Sequence, residues 1–438
     1  MKVDLPRRVR TSTLVQNAGW MFGGYGVRTV IQGLYFVLIA RGLGAQQYGA
    51  FVAITALVAI AAPFAGFGAA NLLVKNVSRN RSVLAAYWGN GLILICASGV
   101  AFLVIVVGFA RFFLPGSVAV ASVLFVGISD LVLLPLVDLA AAAFQAIEMM
   151  NRSAQLQVLI SGSRLVGIFV LLLIRPHPSA VEWTQIYVLA TAATAVFALA
   201  ALGKQAGAPR HALRRIGSEF IEGIYFSAGL SAQSIYNNID KTMLSRMVSL
   251  DAAGVYAAAY RFIDVAFAPV QSLLSASYPR FFRHGADGIQ ASRSYGLRLT
   301  RPSVIYSLVA AVAMLMGAPI LPMILGSQFA RTAEVLRWLA LLPLLKTLHY
   351  FMANALTGAG HQGTRTSMQA VVAVFNVLVN LWIIPAYGWR GAAGSSLASD
   401  GLLAALMYSA ISFKCRRGHH RNYSFGAAGV APQRTLES

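Results

Sequence analysis

The chain has 438 residues, of which 58% are hydrophobic and only 11% are charged. Soluble globular domains carry roughly 25% charged residues, so the composition excludes a soluble enzyme and indicates a polytopic membrane protein. The formal net charge is +21. Because the basic residues gather in short loops between apolar segments rather than on a soluble basic module, we do not expect a nucleic-acid partner.

The sequence predicts an all-α protein built from about twelve membrane-spanning helices. Each span needs about 20 mainly apolar residues. Of the segments that meet this requirement, the seventh and tenth carry the most polar residues, and no loop is long enough to hold a soluble catalytic domain. The predicted spans are 13–40, 49–72, 84–109, 117–143, 153–174, 183–203, 219–245, 252–279, 300–325, 332–357, 366–386 and 391–413.

Lys and Arg are concentrated in every second loop, which predicts the orientation of the chain in the membrane. Cytoplasmic loops carry the excess of Lys and Arg, so both termini are predicted to be cytoplasmic. An odd number of spans would place the basic tail on the wrong side. The basic residues of the predicted cytoplasmic segments are Lys2, Arg7, Arg8, Arg10, Lys75, Arg79, Arg81, Lys204, Arg210, Arg214, Arg215, Arg280, Arg283, Arg293, Arg298, Lys414, Arg416, Arg417 and Arg421.

A hydrophilic stretch near the middle of the chain predicts the domain organisation. Residues 204–218 are expected to form a cytoplasmic linker between an N-terminal six-helix lobe, 1–203, and a C-terminal six-helix lobe, 219–413. Residues 414–438 are expected to form a basic cytoplasmic tail.

The two halves resemble each other weakly at an offset of 205 positions. Arg41 matches Arg246 and Gly49 matches Gly254 at this offset. Because each half contains an even number of predicted helices, the repeat would be parallel, with its pseudo-twofold axis along the membrane normal. Transporter sites commonly lie near the midplane at such repeat interfaces, so we expect a central cavity there.

The first predicted helix has a polar face. Tyr25, Arg28 and Gln32 follow a spacing of three and four residues and therefore share one side of the helix. Arg28 lies roughly 22 Å into the helix at 1.5 Å per residue, which is mid-membrane depth. The functional interpretation is a cation presented to an anionic group, and the structural alternative is an arginine paired with a buried carboxylate.

The seventh and eighth predicted helices carry four internal charges. Asp240 and Lys241 share a polar face with Asn237, and Arg261 lies three residues from Asp264. A charge well inside a spanning helix costs about 2.5–3.5 kcal/mol on insertion scales, so such residues usually face a polar interior. They either serve function or form self-neutralised structural pairs.

Further polar groups lie on the remaining helices. Arg164 shares a face of the fifth helix with Gln157, and Asn376 and Asn380 share a face of the eleventh. Asp240, Asp264 and Asp400 are candidates for ion coupling. The sequence has no Walker A loop, no clustered His and Cys ligands and no supported nucleophile, so we expect no cofactor, no metal site and no enzymatic activity.

Four stretches resemble the polysaccharide flippases of the multidrug/oligosaccharidyl-lipid/polysaccharide exporter superfamily. They match that family's first helix and its connection to the second, the end of the second helix, the segment joining helices seven and eight, and the start of the last helix. These stretches are NAGWMFGGYGVRTVIQGLYFVLIARGLGAQQYGAF, FAGFGAANLLVKNVSR, IDKTMLSRMVSLDAAGVYAAAYRF and YGWRGAAGSSLASDG.

The resemblance implies two six-helix bundles around a central cavity. It also implies alternating access that moves an undecaprenyl-diphosphate-linked oligosaccharide across the bacterial inner membrane. Arg28 and Arg261 match arginines that such flippases place in helices one and eight, and Lys241 falls at the basic position after the helix-seven Asp. Arg164 has only its depth in favour of a cavity position. Tyr25, Gln32, Asn237, Asn376 and Asn380 would complete the polar lining.

The function predicted from this resemblance is export of O-antigen or exopolysaccharide repeat units. The expected partners are the lipid-linked oligosaccharide, membrane lipids and a polysaccharide polymerase or export complex. The alternatives are a drug or cation antiporter of the same fold and a lipid-linked peptidoglycan-precursor flippase. A membrane oligosaccharide polymerase is a more distant alternative, because such enzymes tend to carry a large periplasmic loop.

Overall fold

The protein is helical throughout the part of the chain that the structure describes. A computed structural model describes the backbone of residues 7–78, 80–210 and 216–426, and the side chains of residues 26–78, 80–210, 224 and 227–416. No β-strand occurs among these residues, so the all-α prediction is confirmed. The α-helices are α1 (Arg7–Ala61), α2 (Ala69–Val77), α3 (Leu84–Phe113), α4 (Val120–Gly127), α5 (Leu134–Ala146), α6 (Met150–Ile174), α7 (Ala180–Ala206), α8 (Ile216–Met247), α9 (Leu250–Ala286), α10 (Ile289–Gly317), α11 (Leu321–Leu325), α12 (Thr332–Leu339), α13 (Leu342–Gly358), α14 (Gln362–Tyr387) and α15 (Trp389–Gly426).

The predicted spans all fall on these helices. Among the described residues, eight helical stretches are long and apolar enough to cross a membrane. A ninth is obtained if Ser327–Leu339 and Leu342–Gly358, which meet at a bend of 48°, form one broken span. The chain is therefore a multi-pass membrane protein.

Most of the predicted spans 13–40 and 49–72 lie in one continuous stretch, Gly26–Phe64, with no loop between them. Gly44 divides this stretch with φ 73° and ψ 170°, a conformation outside the helical region. Residues with a Cβ rarely adopt a positive φ, so glycine at this position permits the sharp change of direction. The sequence predicts the two spans but not that they join without a loop.

The predicted helices seven and eight correspond to α8 and α9, which have 32 and 37 residues. Both are long enough to span, yet neither is among the eight apolar stretches. They contain the internal charges Asp240, Lys241, Arg261 and Asp264. These helices can cross a membrane only if their polar groups are satisfied by other parts of the protein.

The chain divides into two compact units, each discontinuous in sequence. Unit 1 comprises Met1–Ala259, Pro319–Val335 and Val379–Ala392, and unit 2 comprises Tyr260–Ala318, Leu336–Leu378 and Ala393–Ser438. The lobes 1–203 and 219–413 remain predictions from the sequence repeat. The predicted linker 204–218 and tail 414–438 lie partly outside the described residues.

Within unit 1, the two glycines that match across the sequence repeat lie against each other. A Cβ at Gly49 would lie 1.8 Å from the carbonyl oxygen of Leu250, and a Cβ at Gly254 would lie 2.1 Å from that of Ala45. Ala45 and Leu250 are themselves a matched pair at the same offset. The contact between α1 and α9 is therefore reciprocal, as expected for two copies related by a twofold axis.

The predicted fourth span is interrupted by a π-helical turn, Ile128–Leu133, between α4 and α5. Pro135 lies in the first turn of α5 and has no backbone N–H to donate to the preceding turn. Asp130 lies within this π-helical turn. Turns of this kind occur frequently at functional sites.

Candidate functional site

Arg28 lies on α1 in unit 1 and is half-buried. Its Nη1 donates a hydrogen bond of 2.8 Å to Oε1 of Gln157 on α6. The amide nitrogen of Gln157 donates in turn to Oδ1 of Asp138 on α5, at 3.1 Å. Arg28 is thus connected to a carboxylate through a neutral amide, and three helices contribute to this polar chain.

Arg164 lies two helical turns beyond Gln157 on α6 and has a direct carboxylate partner. Its Nη2 lies 3.2 Å from Oδ1 of Asp130, and each of these side chains is 17% exposed. The guanidinium also lies 4.0 Å above the ring of Tyr187, which is a cation–π contact.

The Arg164–Asp130 pair is surrounded by further hydrogen bonds. The hydroxyl of Tyr187 donates to Asp130, with both carboxylate oxygens 3.0 Å away. Ser129 Oγ donates to Asp130 at 2.9 Å, and Thr191 Oγ1 accepts from Arg164 at 3.2 Å. The charge of Arg164 is therefore largely neutralised within unit 1.

Asp240 and Lys241 form a second buried charged group in unit 1. Asp240 is fully buried, and it accepts hydrogen bonds of 2.8 Å from Tyr256 Oη and from the backbone N–H of Lys241. Lys241 Nζ lies 3.8 Å from Asp240 Oδ1 and donates to the carbonyl oxygen of Asn237 and to the side chain of Asn238. Neighbouring groups therefore satisfy this pair, which fits the structural interpretation.

Arg261 and Asp264 lie on the part of α9 that belongs to unit 2, and both are exposed. None of the ion pairs among the described residues joins one to the other. The self-neutralised pair suggested by their spacing is therefore not observed among the described residues. Asp264 therefore does not cancel the charge of Arg261 directly.

Asp400 lies in the interior of unit 2. His349 Nε2 lies 2.7 Å from Asp400 Oδ1, and both residues are buried. Lys346, one turn before His349, is also buried and lies 5.8 Å from the ring centroid of Tyr260. Unit 2 therefore contains a cluster of ionisable side chains, Lys346, His349 and Asp400. Only Asp400 was predicted from the sequence to have a role.

The remaining predicted site residues occupy different environments. Asn376 is buried and donates to Ser399 Oγ at 2.9 Å, and Asn380 is buried as well. Gln32 is exposed, Asn237 is half-buried, and the side chain of Tyr25 lies outside the described residues. No group of three or more His, Cys, Asp or Glu side chains that could hold a metal ion occurs in the described part of the chain.

A family model described as polysaccharide biosynthesis protein matches residues 14–284, which is more than half of the chain. The chain belongs to the polysaccharide biosynthesis protein family. A comparison of this family member with curated proteins finds no match.

Solved structures of transporters share the fold of this polysaccharide biosynthesis family member. An inward-facing multidrug resistance MATE family transporter of the MOP superfamily matches with a TM-score of 0.73 and 14% identity, covering 88% of this chain and 95% of its own. The lipid II flippase MurJ in an inward closed conformation matches at 0.71 and 10%, covering 91% and 87%. A MOP superfamily transporter from Pyrococcus furiosus, described as having a binding pocket of reverse polarity, matches at 0.65 and 15%, covering 92% and 95%.

The structure of this family member reveals site residues to which sequence reasoning gave no role. Gln157 contacts Arg28 and Asp130 contacts Arg164, whereas Asp138 contacts Gln157. Their spacing along the helices marks them only as polar groups in apolar segments. A charged residue at mid-membrane depth requires a partner, and a search for carboxylates at matching depth on other helices would have found Asp130 and Asp138.

Proposed function

We propose that this polysaccharide biosynthesis family member is a flippase. It translocates an undecaprenyl-diphosphate-linked oligosaccharide across the bacterial inner membrane by alternating access, for O-antigen or exopolysaccharide export. Membership of the family supports the polysaccharide substrate, and the shared fold of transporters supports translocation rather than enzymatic chemistry. Both termini are placed in the cytoplasm, and a polymerase or export complex is the expected downstream partner.

The observation that carries this proposal is the environment of Arg28. A guanidinium has five N–H donors, and the described hydrogen bonds of Arg28 include one donated to a neutral amide. None of the ion pairs among the described residues involves Arg28, whereas Arg164 contacts Asp130. A diphosphate is a strong acceptor with the complementary charge, so Arg28 is the residue of unit 1 best suited to bind the anionic head group.

The physical problem of translocation assigns the other roles. An oligosaccharide is too polar for the hydrocarbon core, where each unsatisfied polar group costs several kcal/mol, so it requires a wet path through the protein. The lipid chain can remain in the bilayer. Arg261, Lys241 and Arg164 are proposed as further cations along the path, although Asp240 and Asp130 offset much of the charge of Lys241 and Arg164. Asp240, Asp264 and Asp400 are the ion-coupling candidates.

The test is the export phenotype of Arg28→Ala in a strain that lacks the chromosomal gene. We expect export to fall at least tenfold while the membrane level of the protein is unchanged, because one charge-assisted hydrogen bond contributes about 1.5–3 kcal/mol. Arg111→Ala is the matched control, since Arg111 is exposed and donates to the carbonyl oxygen of Gly116 at the end of α3. Normal export by Arg28→Ala would remove Arg28 from the site.

The same deletion strain separates a flippase from a polymerase. Lipid-linked repeat units that accumulate on the cytoplasmic face indicate a lost flippase. Accumulation on the periplasmic face indicates a lost polymerase and would overturn the proposed function.

A second candidate function is drug or cation antiport. Asp264, which is exposed and has no ion pair with Arg261, favours it, because an unneutralised carboxylate suits a cationic substrate. Increased drug resistance on overexpression, lost in Asp264→Asn, would support this alternative. Rescue of a strain depleted of its lipid II flippase would instead support a peptidoglycan-precursor flippase.

A further inference from the structure

Gln157 lies between a cation and a carboxylate. Its Oε1 accepts from Arg28 Nη1 at 2.8 Å, and its Nε2 donates to Asp138 Oδ1 at 3.1 Å. The amide is therefore oriented from both sides, since only one end of it accepts and only the other end donates. None of the ion pairs among the described residues joins Arg28 to Asp138.

The other arginine–carboxylate pair of this region shows the alternative arrangement. Arg164 contacts Asp130 directly at 3.2 Å, with the ring of Tyr187 against the guanidinium. Both carboxylates come from the fourth predicted span, and both arginines come from helices that pack against it. Only the Arg28 pair is separated by an amide.

The amide changes what Arg28 can do. When a guanidinium pairs directly with a carboxylate, the carboxylate neutralises much of its charge and can accept hydrogen bonds from two of its N–H groups. The amide of Gln157 accepts one hydrogen bond from Arg28 but carries no negative charge, so it does not neutralise the guanidinium that it contacts. Asp138 is exposed and lies on the other side of Gln157. Without the amide, the Arg28 side chain could move toward this carboxylate and pair with it directly.

We infer that Gln157 is a positioning residue, which keeps Arg28 extended toward an anionic ligand and prevents its collapse onto Asp138. This inference rests on the proposed function, in which Arg28 binds the diphosphate of the lipid carrier. Gln157 acts through Arg28 and need not contact the ligand.

The experiment measures binding of geranylgeranyl diphosphate to the purified full chain, with geranylgeraniol as the uncharged comparison. We expect wild-type protein to prefer the diphosphate. Gln157→Ala should weaken diphosphate binding about ten- to a hundredfold, the range that one charge-assisted hydrogen bond contributes. Gln157→Glu should weaken it similarly, because a carboxylate placed at the amide position neutralises Arg28.

The decisive variant is the double substitution Gln157→Ala/Asp138→Asn. It removes the carboxylate that would capture Arg28, so diphosphate affinity should return to within a few-fold of wild type. A merely structural role of Gln157 would not be rescued in this way, and a double variant as weak as Gln157→Ala overturns the inference. Wild-type affinity in Gln157→Ala also overturns it.

The controls separate misfolding and failure of the proposed function from failure of the inference. Gln155→Ala removes the same type of side chain from an exposed position of the same helix and should bind as wild type does. Circular dichroism and gel filtration establish that each variant folds. If the binding pattern is found but the deletion strain exports polysaccharide normally, the proposed function is wrong and the positioning role of Gln157 stands. Equal binding of diphosphate and alcohol by wild type overturns both.

Discussion

Arg164 and Asp130 form a largely buried ion pair that also involves Tyr187, Ser129 and Thr191. Removing one partner of such a pair leaves the other charge uncompensated, whereas removing both does not. We therefore expect Arg164→Gln and Asp130→Asn each to lower the thermal midpoint of the detergent-solubilised protein. The double variant should be less destabilised than the sum of the two, with a coupling energy of about 0.5–3 kcal/mol.

Thermal unfolding followed by circular dichroism checks this coupling. Additive effects would show that the two charges do not stabilise each other. Arg111→Ala again serves as a control, because its side chain is exposed.

At the residue scale, the sequence predicted which positions are polar but not how they are partnered. The depth of Arg28 and Arg164 in their helices follows from counting residues, and the structure shows both to be half-buried. Their different environments depend on Gln157 and Asp130, which reach them only when the helices pack. The periodicity of one helix does not encode pairing with helices far apart in sequence, so the sequence could not distinguish the environments of these two arginines.

At the element scale, α1 and α9 approach each other closely at Gly49 and Gly254. We expect Gly49→Ala and Gly254→Ala each to destabilise the protein, because the added methyl group would lie 1.8 Å and 2.1 Å from a backbone oxygen. Backbone atoms cannot move aside as a flexible side chain does, and overpacking costs about 1–3 kcal/mol or more. The reduction in thermal midpoint should be similar for both, since the contact is reciprocal.

Gly33→Ala is the matched control for this crossing. Gly33 lies on α1 with no heavy atom within 4 Å of an added Cβ. Alanine is favoured over glycine in a helix interior by about 1 kcal/mol, so this variant should be as stable as wild type or slightly more stable. If Gly49→Ala were equally harmless, the close crossing would not exist in the native protein.

At the element scale, apolar length predicted the positions of the eight apolar stretches found among the described residues, because a helix in lipid must be long and apolar. It did not predict the join at Gly44 or the π-helical turn at Ile128–Leu133. Both depend on single residues that change the backbone, a glycine with positive φ and the proline at position 135. The match of Gly49 with Gly254 at an offset of 205 positions was a weak sequence signal. The reciprocal contact explains it, because each glycine lies against a backbone carbonyl of the other helix.

For the whole molecule, orientation in the membrane depends on whether α8 and α9 both span. These helices carry the internal charges and are less apolar than the other long helices, yet the basic loops alternate correctly only if both cross. The interior contacts of Asp240 with Tyr256 and Lys241 reduce the cost of burying these charges. We therefore favour two complete spans over a surface-lying pair.

The turn between α8 and α9 is the point at which this choice can be tested. In a cysteine-free background made by replacing Cys96 and Cys415, Ser249→Cys should react with a membrane-impermeant maleimide in intact spheroplasts, because Ser249 is exposed in a turn predicted to be periplasmic. Asp287→Cys, in the exposed turn between α9 and α10, should react only after permeabilisation. A protected Ser249→Cys, with Asp287→Cys also protected, would mean that the pair does not cross. The prediction that Asp240 and Lys241 lie inside a spanning helix would then be wrong. The predicted cytoplasmic location of both termini would be unaffected, because removing two spans leaves their number even.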